Sequence, residues 1–409
     1  MNLNYEQIKI ISKQYGDSFY ILDSEKFKAN YQELLDSFRS IYENTSIGYS
    51  YKTNYLPKLC SIVNQQNGYA EVVSQMELEL ALKIGVKPSK IIFNGPYKQY
   101  NDIKNSLLNG TRIHIDSLSE LNTVIEIVEK FQDQNFKIGL RCNFQISNLK
   151  ISRFGISEAN GDLANAFKKV DKIVNLKIAG IHCHFPNRDL NSFEERVTKM
   201  LKIVNRYFND DIEFIDVGGG FFSKMNDKLK SQFNSEIPSY KEYADIVATR
   251  IESEFSSLKK HEKPELIIEP GSAIVADTMY FLSEVVSIKN INNYKIATIS
   301  GSKFNITPQN QNIYLPFKVI TNSNIPQNAS NYLIAGYTCI ESDYLSQEYN
   351  GVINEGDFIL FENVGSYSIV LKPPFIHTNS PVIELNHDNS IELLKVKEKT
   401  EHVFKTYKI

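Results

Sequence analysis

Four short stretches of this chain carry side chains suited to chemistry. In IGYSYKTN, residues 47–54, an apolar and aromatic run stops at Lys52. Burial at a strand end disfavours the charged amine. A lysine depressed in this way can form a Schiff base with an aldehyde; the plain alternative is a lysine that reaches past its strand to water. In IHCHF, His182 and His184 are one residue apart and share one face of a strand. Zinc is poorly served by the pair, which has no third ligand near it in sequence, and no metal is expected. In DVGGGF, Gly218, Gly219 and Gly220 leave three successive amides uncovered. Such amides can close on one anion, phosphate in particular, or simply form a flexible turn. In IIEPG, Glu269 ends an apolar run, and a carboxylate there could keep a heterocyclic nitrogen protonated.

These stretches matter together only if the fold gathers them. Short apolar runs at 47–51, 69–73, 90–93, 112–115, 137–141, 178–184, 212–217 and 266–269 read as strands. Helical periodicity fills the intervals at 56–64, 75–84, 97–108, 119–131, 162–170, 192–208 and 240–258. Strand–helix alternation implies parallel strands with right-handed crossovers. Eight strands close a (β/α)8 TIM-type barrel, whose chemistry sits at the C-terminal strand ends. Lys52, His184, Gly218 and Glu269 all fall at such ends. An open doubly wound sheet is the structural rival, but it usually has a glycine-rich turn after its first strand.

Outside this region the pattern changes. Residues 1–17 read as an amphipathic helix, 18–22 as a strand and 25–42 as a helix. Beyond residue 275, strand-like runs at 280–287, 295–300, 313–320, 332–335, 357–362, 368–372 and 393–396 lack long helices between them. They read as an antiparallel all-β domain that 18–22 joins. The expected division is a barrel at 25–275 and a β domain made of 1–24 and 276–409.

Composition narrows the function. The 409 residues suffice for two domains. A hydrophobic content of 42% and a charged content of 23% are ordinary for a globular chain. Net charge of −3 gives no basis for a nucleic-acid or membrane-surface partner. Cys60, Cys142, Cys183 and Cys339 are scattered, which fits a reducing cytoplasm, the expected location. No signal-type or bilayer-length apolar stretch is present. One barrel mouth would then hold an amine for an aldehyde, a nest for phosphate, an acid for a ring nitrogen and an imidazole for a ring face. Pyridoxal 5'-phosphate needs all four.

Further motifs extend this reading: YSYKTN at 49–54, EVVSQMELELALKIG at 71–85, IIFNGPYK at 91–98, ISRFGI at 151–156, GIHCHF at 180–185, EPG at 269–271, GYTCIESD at 336–343 and GSY at 365–367. Over nearly its whole length the chain resembles the fold type III pyridoxal-phosphate decarboxylases, the group of ornithine, arginine and diaminopimelate decarboxylases. The resemblance implies an alanine racemase-like fold and a homodimer whose β domain contributes to the interface and the active site. It makes Lys52 the Schiff-base lysine, His184 the ring-stacking residue, Gly218–Gly220 the phosphate nest and Glu269 the partner of the pyridine nitrogen. Gly271, Ser272 and Tyr367 would also border the cofactor. Cys339, from the second subunit, would protonate the carbanion after carbon dioxide leaves. Lys303, Tyr314, Glu341 and Asp343 would border an amino-acid-like substrate.

The departures from that pattern carry information too. Asn187 stands where a phosphate-binding serine is usual. Ser272 stands where diaminopimelate decarboxylases have a carboxylate-gripping arginine. Ile340 follows Cys339, with the acid one later at Glu341. A second substrate arginine is missing from 300–314, where Lys303 is the only cation. The expected activity is therefore decarboxylation of a modified or conjugated amino acid, of the kind found in siderophore or peptide-nucleotide antibiotic assembly. Two alternatives stand beside it: a racemase on the same architecture, and an inactive relative that only binds a protein partner.

Overall fold

The computed structural model describes residues 3–147, 151–209, 211–309, 312–322, 329–386, 388 and 390–408. Met1 and Asn2 of the expected first helix, and Asn310 and Gln311 of segment 300–314, lie outside the described residues. The chain divides into two compact units: residues 28–222 with 235–274, and residues 1–27 with 223–234 and 275–409.

The first unit is the barrel. Its strands are Thr45–Ser50, Tyr69–Val72, Ile91–Phe93, Arg112–Ile115, Phe136–Asn143, Leu176–His182, Phe214–Asp216 and Glu265–Ile268. Each pairs in parallel with the next, and Glu265–Ile268 returns to Thr45–Ser50 with Leu266 opposite Thr45 and Ile268 opposite Ile47. The ring is thus closed without edges. A two-residue strand, Ile156–Ser157, flanks Cys142 and Asn143. The connecting helices obey local rules. Gln75–Ile84 starts where Ser74 Oγ accepts the Glu77 amide at 3.3 Å, and stops at Gly85 with φ +91°. Leu190–Tyr207 presents Phe193, Val197 and Met200 inward at helical spacing, each fully buried. Burial of each contributes roughly 1.5–3 kcal/mol.

Period two along the strands sorts the barrel interior into layers. The lower layer is mainly apolar and contains Tyr69, Ile92, Ala179, Phe214 and Ile267. Two residues on along the same strands come Glu71, Asn94, Asp216 and Glu269, all buried. His114 and His182 join them. Space for the rings comes from glycine: a Cβ at Gly139 would lie 2.5 Å from His114 Cδ2, and one at Gly180 would lie 2.7 Å from Phe214 Cγ.

The second unit is built on one long strand, Met279–Ile291. It pairs antiparallel with Ser18–Leu22, Tyr294–Ile299 and Phe358–Phe361. The sheet is mixed, which corrects the antiparallel expectation. Ser18–Leu22 also pairs in parallel with Val382–Leu385, and Tyr294–Ile299 with Ser330–Ala335. Phe317–Ile320, Tyr344–Gly351 and Ile391–Lys395 complete it. Helix Tyr5–Tyr15 lays Ile8 and Ile11 onto Phe19, Ile21, Leu282, Phe358, Leu360 and Ile383. Segment 368–372 is not a strand. Ser368–Leu371 is a turn of helix, with Ser368 Oγ hydrogen-bonded back to the Val364 carbonyl. A four-residue apolar run has no period long enough to tell the two apart.

Candidate active site

The first barrel strand ends in a 3-10 turn, Tyr51–Thr53, that carries Lys52. Two hydrogen bonds hold this turn beside the last strand end: Ser50 N to Pro270 O at 3.2 Å and Ser50 Oγ to Glu269 O at 3.3 Å. A Cβ at Gly271 would sit 2.1 Å from Thr53 Oγ1, so only glycine permits the approach. Ser272 opens the short helix Ser272–Val275. Lys52 remains a third exposed, and its Nζ is ion-paired to the wholly buried Glu71.

From Lys52 a polar chain crosses the mouth. Asn94 Nδ2 donates to Glu71 Oε1 at 3.0 Å and to Glu269 Oε1 at 2.6 Å. His182 Nε2 lies 3.3 Å from Glu269 Oε2. Asp216 lies beside Glu269, with carboxylate oxygens of the two within 4.8 Å, and its Oδ1 accepts the Gly218 amide at 2.9 Å. The Glu269 amide donates to the Gly218 carbonyl at 2.9 Å, and the Gly219 amide donates to His184 Nδ1 at 3.0 Å. The structure therefore brings Lys52, Glu269, His184 and the triple-glycine turn into one hydrogen-bonded system. Gly218 and Gly220 take φ of +68° and +104°, and a Cβ at Gly219 would lie 2.4 Å from the Glu269 carbonyl.

Electrostatics follow from the burial. It holds the His182 and His184 imidazoles well below their usual range, with nearby Arg141 and Lys52 adding to the effect. It raises Asp216, which also faces the Glu269 charge, and it raises Glu269 against the opposing pull of Lys52 and of the polar groups beside it. Near the second strand end, burial lifts Glu77 to about 7 although its carboxylate accepts the Val73 amide at 2.7 Å.

Sequence reasoning left out four residues of this system. Asn94 ends the third strand, His114 and Asp216 lie inside the barrel, and Arg196 lies on helix Leu190–Tyr207. Arg196 is wholly buried; it donates to the carbonyls of Gly219 at 2.9 Å and Phe185 at 3.0 Å, and to that of Asn187. It thus ties the glycine turn to the loop that follows His184, and desolvation lowers it to about 10. An arginine on the apolar face of an otherwise regular helix, between Phe193 and Met200, was the available signal.

His182 is also better furnished than its sequence neighbours suggest. His114, His182, Asp216 and Glu269 offer ligand-type atoms within 4.8 Å of one another. The imidazoles of His114 and His182 are stacked, however, with centroids 5.0 Å apart and 25° between planes. An ion in the plane of one ring would lie well out of the plane of the other, which poorly suits a shared metal.

The remaining expected residues belong to the second unit. Cys339 and Glu341 are exposed on the 336–343 turn. Asp343 is buried and occupied: Oδ1 accepts Lys303 N at 2.8 Å and Ser302 Oγ at 3.2 Å, and Oδ2 accepts Thr338 Oγ1 at 2.7 Å. It orders the turn that displays Cys339. Lys303 Nζ sits 4.8 Å over the Tyr314 ring. Tyr367 has φ +58°, an uncommon conformation for a bulky side chain, at the start of Ser368–Leu371.

Among the described residues no helix is long and apolar enough to cross a membrane. The family model described as the pyridoxal-binding domain of pyridoxal-dependent decarboxylases matches residues 27–276. A diaminopimelate decarboxylase of Methanocaldococcus jannaschii is 26% identical over 96% of this chain and 91% of its own length. That of Staphylococcus aureus is 26% identical over 95% and 93%. Among solved structures, the M. jannaschii diaminopimelate decarboxylase superposes with a TM-score of 0.86 at 23% identity, covering 98% of this chain and 94% of that one. The Helicobacter pylori enzyme in complex with L-lysine gives 0.83 at 23%, covering 97% and 98%. These structural likenesses establish the fold, and the match to the family model over most of the barrel makes the chain a member of the fold type III pyridoxal-phosphate-dependent amino acid decarboxylases.

Proposed function

We propose that this decarboxylase acts on a modified or conjugated amino acid, in a homodimer with shared active sites. The observation that carries the substrate reading is Ser272. It follows Glu269-Pro270-Gly271 where an arginine would grip a second substrate carboxylate, and Lys303 is the only cation in 300–314. A substrate lacking that second carboxylate, or carrying it masked, suits such a site.

The residues present fit the cofactor. The Gly218 and Gly219 amides are taken by Asp216 Oδ1 and His184 Nδ1, which corrects the expectation of three uncovered amides; of the three glycines it is Gly220 whose amide is left to meet a phosphate. Lys52 presents an amine at the rim for the aldehyde, and Glu269 offers a buried acid to the ring nitrogen. Pyridoxal phosphate supplies a ring that takes up the electron pair left when carbon dioxide departs. His184, kept neutral by burial, packs on the ring face. Asn187, Gly271, Ser272 and Tyr367 border the cofactor. Cys339 of the second subunit gives a proton to the carbon that lost its carboxylate. Lys303, Tyr314 and Glu341 face the substrate, and Asp343 orders the turn that carries Cys339 and Glu341. The chain would work in the cytoplasm.

Diaminopimelate itself is the second reading, favoured by full-length likeness to enzymes of that name. A panel of meso-diaminopimelate, lysine, ornithine and N-conjugated amino acids, assayed for carbon dioxide release by holoenzyme, separates the two. The proposal requires the highest kcat/KM on a conjugated substrate. Comparable or better turnover of diaminopimelate would overturn it, and loss of optical activity without carbon dioxide would indicate a racemase.

A further inference from the structure

Behind Glu269 lies a group of buried polar side chains that the cofactor reading does not use. Asp216 Oδ1 is satisfied by the Gly218 amide, but its Oδ2 is buried and meets no donor. Glu269 is the acid beside it, with carboxylate oxygens of the two within 4.8 Å. Glu269 in contrast has donors for both oxygens, Asn94 Nδ2 on Oε1 and His182 Nε2 beside Oε2. Two adjacent buried carboxyls cannot both be ionised cheaply, so one proton belongs to the pair. The donor distribution decides which acid holds it. Glu269 is solvated as an anion by the protein, whereas Asp216 Oδ2 faces only an acceptor.

We infer that Asp216 is a positioning residue that carries this proton and donates it in a hydrogen bond to Glu269, holding Glu269 as the carboxylate that keeps the ring nitrogen protonated. The inference rests on the reading of Glu269 as the ring-nitrogen partner. Each donor into Glu269 lowers its basicity, so the proton between Glu269 and a pyridine nitrogen stays on the nitrogen. The surroundings keep the pair dry. Glu71 and its partner Lys52 face the pair from the first two strands, Asn94 from the third, His114 from the fourth, Arg141 from the fifth and His182 from the sixth. Both nitrogens of His114 and Nδ1 of His182 are without partners, and Phe214 stacks on His114 at 5.4 Å. Neutral imidazoles there add no competing charge. The nearby cations are both paired, Lys52 with Glu71 and Arg141 with Asp116 at 3.3 Å.

The sign of a substitution separates a protonated Asp216 from an ionised one. Asp216→Asn reproduces the protonated acid: its oxygen can accept Gly218 N–H and its amide can donate to Glu269. Asp216→Leu removes the donor and leaves Glu269 more basic. Nitrogen-15 NMR of ring-labelled pyridoxal phosphate on the protein reads the ring nitrogen directly. The inference predicts the wild-type shift in Asp216→Asn, and movement towards the free-pyridine value in Asp216→Leu. Movement in Asp216→Asn would overturn it, since removing an anion rather than a donor would then be what matters. Glu269→Gln tests the underlying reading separately: an unchanged shift there refutes Glu269 as ring partner, whatever Asp216 does. Should Asp216→Leu fail to fold, infrared difference spectra of the cofactor-free protein decide the matter. At neutral pH, wild type minus Asp216→Asn must contain the carbonyl stretch of one un-ionised buried acid. A difference spectrum without that band would show that Asp216 is ionised and overturn the inference.

Discussion

Replacing Asn94 by leucine would remove one amide from the centre of the barrel-mouth network while keeping the branching of the side chain. Its Nδ2 bridges Glu71 Oε1 at 3.0 Å and Glu269 Oε1 at 2.6 Å, and two flanking carboxyls fix the amide's orientation. Its Oδ1 meets no donor, so nothing is lost on that side. Hydrogen bonds to charged groups contribute ~1.5–3 kcal/mol each, which puts the two together at ~3–6 kcal/mol. Lys52 still serves Glu71 and His182 still serves Glu269, so the expected loss is about 2–4 kcal/mol. The chain has no tryptophan, and urea unfolding of the cofactor-free protein is therefore best followed by far-ultraviolet circular dichroism. Asn94→Asp is the companion variant. It keeps the shape but places a third acid between two, and should lose more at pH 8 than at pH 5. An Asn94→Leu protein within ~0.5 kcal/mol of wild type would refute the view that this amide joins the two halves of the mouth.

Other consequences are as direct. Burial lifts Glu77 to about 7, so its un-ionised form stabilises the fold fully below pH 4.5 and the contribution is lost as pH rises through 7. Glu77→Gln cannot ionise and should gain stability over wild type between pH 5 and pH 8, approaching ~3 kcal/mol; parallel urea midpoints across that range would count against it. Gly271→Ala places a Cβ 2.1 Å from Thr53 Oγ1 and should displace the Lys52 turn, weakening cofactor binding at least ~10-fold (~1.4 kcal/mol) in a fluorescence titration. Unchanged affinity would mean the turn is not needed for binding. Cys339→Ala should slow turnover while cofactor stays bound, and unchanged turnover would remove its proton-donor role. Mixed with Lys52→Ala protein it should regain part of the activity if sites are shared, and no recovery after verified subunit exchange would indicate self-contained sites.

The barrel was legible because its strands are buried on both faces and therefore read as short continuous apolar runs between helices of clear period. Gln75–Ile84 was readable to the residue because Ser74 and Gly85 cap its apolar stripe, and Asp162–Val170 because Leu163, Ala166, Phe167 and Val170 form one. The β unit was harder to read. Tyr344–Gly351 alternates weakly, and Val382–Leu385 is short and follows a proline, so neither stood out as a strand. In the site, Lys52, Glu269 and the glycine turn are conspicuous because they interrupt apolar runs. Asn94, His114 and Asp216 are not, since their partners lie on strands distant in sequence and only barrel closure makes them neighbours. Arg196 differs: its misplacement on an apolar helix face was visible, but not the three carbonyls that explain it.

The central claim is that Lys52 carries the cofactor at the mouth where the glycine turn and Glu269 meet. Borohydride reduction of the holoprotein, digestion and peptide mass spectrometry test it most directly. The phosphopyridoxyl group should be found on the peptide containing Lys52, and Lys52→Ala protein should lose both the label and the visible absorbance. A label on any other lysine, or a reducible chromophore that survives in Lys52→Ala, would contradict the account.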